Sequence, residues 1–150
     1  MTSVIKSVAA IISDEKSRVL LQKRDNFTGI YFPGFWGLFG GAMDHSESPI
    51  NAITREIVEE IGIGSLEFEY FLEFEFACPL FDGLTHRRIV FKAMSEENVL
   101  QSLKLNEGSA KGLFALDDLP PLANLVSFDA AILSMYLNLS VRKKQLSPKR

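Results

Sequence analysis

The chain holds one cysteine, two histidines and one tryptophan in 150 residues. Cys78 alone cannot close an internal disulfide, and a cysteine-rich metal site is excluded by count. His45 and His86 are too few for the nitrogen- and sulfur-rich ligand sets usual at zinc. No apolar run reaches the roughly 20 residues of a membrane helix. The apolar block nearest the N-terminus, Val8 to Ile12, is short and preceded by Lys6, which argues against a secretory leader and leads us to expect a cytoplasmic location. An excess of one charge is lacking too. Sixteen Lys plus Arg against nineteen Asp plus Glu give a formal charge of −3, which offers no general attraction to nucleic-acid polymers or anionic membranes. A single nucleotide as ligand stays open, as does a homodimer.

What is present is globular. Hydrophobic residues make up 47% and charged residues 23%, enough apolar surface for one core at a length suited to one domain. We expect a single domain over residues 1–140. A solvated basic tail over 141–150 would contain Arg142, Lys143, Lys144, Pro148, Lys149 and Arg150.

The patterning predicts an extended segment over Val4–Ser13, a turn at 14–17 and a strand over Arg18–Arg24. A Gly- and Pro-containing loop follows over 25–35, then a short strand over Trp36–Phe39 ending at Gly40-Gly41. Glu67–Cys78 alternates, with Phe68, Tyr70, Leu72, Phe74, Phe76 and Cys78 sharing one face of a half-buried strand. Asp82-Gly83 turns the chain into a return strand over Arg88–Met94, and Gly112–Leu116 reads as the last strand. Phe128, Ile132, Met135 and Leu139 repeat at helical spacing, so a C-terminal helix capped by Ser127 is expected.

The densest information lies between Gly41 and Ile63. Ser48 can cap a helix with Pro49 in its first turn, and Gly62 can end it. Ile50, Ile53, Ile57 and Ile61 form a stripe suited to the core. Glu56, Glu59 and Glu60 share a separate arc. Carboxylates about 5 Å apart repel by about 3 kcal/mol per pair at an effective dielectric near 20. The last two also sit at the negative end of the helix dipole. Arg55 cannot neutralise all three. An oxygen-only cluster suits a hard cation such as Mg²⁺ or Mn²⁺; the other reading is an exposed acidic face splayed into water.

The surroundings sharpen the choice. Gly41, then Glu47, then Arg55-Glu56-Ile57-Val58-Glu59-Glu60-Ile61-Gly62-Ile63 resembles the Nudix box, G-x5-E-x7-R-E-U-x-E-E-x-G-U, with every specified position matched. The resemblance covers residues 41–63 and implies an α/β fold, a Nudix-type α/β/α sandwich with a mixed central sheet. It also implies Mg²⁺ (or Mn²⁺) held by Glu56, Glu59 and Glu60, with the carbonyl of Gly40 as a further ligand. Arg55 would orient the acids, and Glu47 would brace the loop or touch the metal through water. The catalytic base would be Glu56, Glu60 or, outside the box, Glu107. Many family members carry proline where this chain has Phe39, which puts the loop over the substrate in doubt.

In the family, Arg24 is placed to meet a phosphate, a surface charge being its other reading. Asn124 lies where some members present an amide to a nucleobase, a cap of the last helix being the simpler reading. Trp36, Phe32 and Phe35 are candidates to stack on a base, with core packing the simpler reading for at least two of them. His86, Arg87 and Arg88 either line the cleft or face water. The implied activity is Mg²⁺-dependent hydrolysis of a pyrophosphate linkage in a nucleoside diphosphate linked to another moiety, such as a nucleoside triphosphate, by water attack on phosphorus. Its alternatives are a sugar-nucleotide hydrolase acting on ADP-ribose or a GDP-sugar, and a nucleotide-binding sensor without turnover. Intact box acids favour the enzyme.

Overall fold

The computed structural model describes residues 3–146. Strands β1 (Val4–Ser13) and β2 (Val19–Lys23) are followed by the short β3 (Trp36–Gly37) and β4 (Phe39–Ala42). Helix α1 (Pro49–Ile61) leads to β5 (Glu69–Ala77) and β6 (Thr85–Met94). After α2 (Glu97–Ser102) and β7 (Ala110–Phe114), a 3₁₀ turn (Leu122–Asn124) precedes the terminal helix α3 (Ser127–Leu146).

The sheet runs β3-β2-β1-β6-β5, with β4 also on β1 and β7 also on β2. β1 and β6 are parallel from Val4↔Thr85 to Ser13↔Met94, and the other strand pairs are antiparallel. The sheet is therefore mixed. Helices cover both its faces, which explains why Val8 to Ile12 is apolar without alternation. Val8, Ala10 and Ile12 pack with Ala52, Ile53 and Ile57 of α1. Ala9 and Ile11 face the other way, onto Ile132 and Leu133 of α3. The expected α/β/α sandwich is what the chain forms.

Several elements differ from expectation. The predicted strand over Trp36–Phe39 is two strands, because Trp36–Gly37 pairs with β2 while Phe39–Ala42 pairs with β1. β5 does not keep one face: a register shift between Tyr70 and Leu72 swaps the sides. Phe68 packs on the α1 core, Phe71, Leu72 and Phe74 on the α3 core, and Tyr70 is exposed. β6 begins at Thr85 rather than Arg88, β7 lies two residues earlier than predicted, and α2 was not anticipated. Ile50 is exposed rather than part of the α1 stripe. Phe39 is fully buried in the α1 core, so the family's proline position is here a packing position. α3 continues to Leu146, so Arg142 and Lys143 belong to a helix rather than a frayed tail. Pro148, Lys149 and Arg150 lie outside the described residues.

Candidate active site

Helix α1 starts as the sequence directs. Ser48 Oγ accepts from Asn51 N at 3.3 Å, and Pro49 occupies the first turn. It ends at Gly62, whose φ of 73° is the left-handed conformation and whose N–H donates to the Val58 carbonyl. This fixes the length of the helix and aims its acids at β4.

Arg55 is the hub of the loop. Its Nε and Nη2 donate to the two oxygens of Glu47, each at 2.9 Å, and Nη2 also reaches the Ala42 carbonyl at 3.1 Å. Nη1 donates to Glu56 at 2.8 Å and to Glu59 at 3.3 Å. Glu47 accepts from Asp44 N as well, so it braces the loop as expected. These bonds, Arg55 first, hold the Glu47 carboxyl down at about 2.

Glu60 is different in kind. It is 3% exposed, and among the described residues its hydrogen bonds bring no cation: Gly40 N donates at 3.0 Å and Gln22 Nε2 at 3.3 Å. Burial pushes its carboxyl up to about 8, and the charges of Glu56 and Glu107 add to the rise. Burial also raises Glu56, with Arg55 opposing and Glu59 and Glu107 reinforcing.

Gly41 packs against Glu56 so closely that a Cβ there would lie 2.6 Å from the carboxyl carbon. At Gly40, with φ of 142°, a Cβ would lie 2.1 Å from the Val8 carbonyl oxygen. The glycine pair is thus required by close approach on both sides of β4.

Glu107 joins the cluster because Asn106 ties its loop to the end of α1. Asn106 N donates to Glu60 O at 2.8 Å and Asn106 Nδ2 to Glu59 O at 3.0 Å. Glu59, by contrast, is half-exposed and turned to Arg55. Among the described residues no three His, Cys, Asp or Glu side chains converge as a ready ligand set. Yet the donor set still fits a hard divalent cation. It is all oxygen, and the buried Glu60 carboxylate is supported only by neutral donors.

A cavity of about 220 Å³ opens beside these acids, sharing Gly40, Gly41 and Ala42 as a wall. Tyr31, Phe32, Phe76, Phe81 and Phe128 supply its aromatic surface, and His86, Arg24, Arg88 and Asp129 its polar groups. Phe76 stacks on Phe128 at 4.3 Å and on the His86 ring at 5.1 Å. Asp82 accepts from Tyr31 OH at 3.0 Å and lies 2.7 Å from His86 Nε2, joining the 25–35 loop to the β5–β6 turn.

Of the expected substrate contacts, Arg24 lines this cavity, its Nε donating to the Tyr31 carbonyl at 2.7 Å. Trp36 does not. Its ring packs edge-on against Phe114 at 5.1 Å, in the α3 core, because the short β3 turns it toward that layer. Asn124 is exposed in the 3₁₀ turn and is neither a cavity residue nor the cap of α3. Phe32 lines the cavity and Phe35 packs edge-on behind it. Arg87 faces Glu73 instead of the cavity. Sequence reasoning missed Gln22, Asp129, Tyr31, Phe81 and Phe128. Of these only Asp129, an acid in the first turn of an otherwise apolar helix face, carried a readable signal.

A NUDIX domain family model matches residues 5–136. Over 80 residues the chain is 35% identical to an 8-oxo-dGTP diphosphatase of Haemophilus influenzae, a match covering 51% of this chain and 54% of that protein. An 8-oxo-dGTP diphosphatase of Proteus vulgaris is 31% identical over 78 residues, covering 52% and 59%. The chain thus spans a little over half the length of these curated relatives. Among solved structures, the MutT NUDIX hydrolase from Burkholderia pseudomallei superposes with a TM-score of 0.72 at 28% identity, covering 88% of this chain and 97% of that one. The NUDIX domain of Shewanella oneidensis NrtR, solved as a complex with ADP ribose, has a TM-score of 0.71 at 18% identity, covering 92% and 89%. With a family match over most of its length, the chain belongs to the NUDIX domain family.

Proposed function

We propose that the chain is a divalent-metal-dependent hydrolase of a pyrophosphate linkage in a nucleoside triphosphate, with water attacking phosphorus. One observation carries this reading. The aromatic cavity and the box acids share the Gly40–Ala42 wall: Gly40 N holds Glu60, Gly41 lies against Glu56, and the Ala42 carbonyl holds Arg55. A base in the cavity therefore sets its phosphates beside the acids.

Glu56, Glu59, Glu60 and the Gly40 carbonyl would hold Mg²⁺ or Mn²⁺. When bound, such an ion withdraws charge from phosphoryl oxygens and lowers the pKa of a water. The chain's own groups do the rest. Arg55 and Glu47 keep the loop in place, and Arg24 meets the phosphates from the cavity side. Glu107, fixed next to the end of α1 by Asn106, accepts the proton of the attacking water. The names of the two curated relatives support a nucleoside triphosphate as substrate. Sugar nucleotides are the second reading, supported by the ADP-ribose complex of a structural neighbour.

The test is a panel of nucleoside triphosphates and sugar nucleotides with Mg²⁺ and product identification. The proposal expects a nucleoside monophosphate and pyrophosphate from at least one triphosphate. Turnover of ADP-ribose or a GDP-sugar alone would install the second reading, and no turnover of any member would leave a binding protein.

A further inference from the structure

Where Arg88 meets Asp129, at one corner of the aromatic cavity, the hydrogen bonds do not balance. Arg88 reaches that corner from β6. A guanidinium carries five N–H donors, and two bonds are made here: Nη1 to Ser7 Oγ at 3.3 Å and Nη2 to Asp129 Oδ1 at 2.8 Å. Nε is buried and has no acceptor among the described residues. An unmet donor on a charged group is costly unless something brings an acceptor.

Asp129 is not that acceptor. One of its oxygens serves Arg88 and the other accepts from Leu38 N at 2.9 Å. Its side chain is 3% exposed, against 15% for Arg88. An occupant of the cavity therefore meets the guanidinium, which only donates. Of the other wall groups that could donate, His86 has Nε2 against Asp82 and Arg24 has Nε on the Tyr31 carbonyl. Tyr31, Phe32, Phe76, Phe81 and Phe128 make much of the remaining wall aromatic, which suits a flat ring.

We propose that Arg88 selects the base of the nucleotide by donating to a keto oxygen on the base edge. Guanine (O6) and uracil (O4) present such an oxygen and are accepted, whereas adenine and cytosine, which carry an amino group at the same position, are disfavoured. Nε is covered in this conformation, so a tilt of the guanidinium that uncovers an N–H is part of the proposal. Asp129 is a positioning residue, holding Arg88 to the Leu38 backbone. The inference rests on the proposed nucleotide substrate but not on turnover.

The experiment is a calorimetric titration of the chain with GMP and with 2-aminopurine riboside 5′-monophosphate, which lacks the 6-oxygen. GMP should bind at least about tenfold more tightly. Arg88→Lys keeps a cation for Asp129 but loses the planar fork, and should bring the two affinities within about twofold. Arg88→Met combined with Asp129→Asn, which strands no buried charge, should do the same and serves if the lysine variant fails to fold. Equal affinities in the wild type, binding of neither probe, or an undiminished preference in a folded variant would each overturn the assignment. Selective binding of GMP without hydrolysis of any triphosphate would leave it standing and refute the proposed reaction instead.

Discussion

At the scale of single residues the site turns on how each acid is satisfied. Glu47 is held by a guanidinium, while Glu60 is buried on neutral donors. Glu60 therefore becomes charged only as pH approaches about 8, with no protein cation bonded to it among the described residues, and its replacement should separate stability from function. Glu60→Gln removes that charge at nearly constant shape. We expect kcat to fall by about 10²-fold or more, while the melting temperature without metal at pH 8 stays equal or rises. A lower melting temperature with activity retained would show the side chain to be structural. Glu107→Gln tests the proton acceptor: kcat should fall by about 10²-fold with KM nearly unchanged. A change confined to KM would make Glu107 a substrate contact.

At the scale of elements, α1 couples this chemistry to folding. Glu60 has its folded pKa raised from the ordinary 4.5 to about 8, so between those values the folded state binds more protons than the unfolded one. Stability contributed through this group therefore falls as pH rises from about 4.5 to about 8. The depressed Glu47 works in the opposite sense, only below its ordinary 4.5, where its stabilisation is lost as pH falls toward about 2. Thermal melts in chelator should show a declining melting temperature between pH 5 and 8, and Mg²⁺ should raise it most at the upper end. A metal response equal at both ends of that range would detach the cation from Glu60.

Much of α1 was legible, because its signals are local. Cap, first-turn proline, terminal glycine and the spacing of Arg55, Glu56, Glu59 and Glu60 lie within one stretch of chain. What was not legible depends on distant partners. The β5 register shift exchanges the faces of Phe68 and Phe74, and an alternating pattern cannot announce it. The fate of Trp36 depends on a two-residue strand that aims it at Phe114. The cavity draws Tyr31, Phe81, His86 and Phe128 from four separate segments, so no spacing rule joins them.

For the whole molecule, the sandwich sets two layers of recognition side by side. The α1 layer carries the acids, the α3 layer closes the aromatic cavity, and β4 is the seam between them. Geometry of this kind predicts which bond breaks. If the base occupies the cavity as proposed, the acids would lie beside the phosphates rather than beyond them, so attack should fall on phosphorus inside the chain of phosphates. The direct measurement is hydrolysis of a nucleoside triphosphate in ¹⁸O-labelled water with Mg²⁺, followed by mass analysis of both products. The account predicts a nucleoside monophosphate and pyrophosphate, with the label on one of the two. Orthophosphate as the first product, or label carried on a sugar carbon, would contradict it.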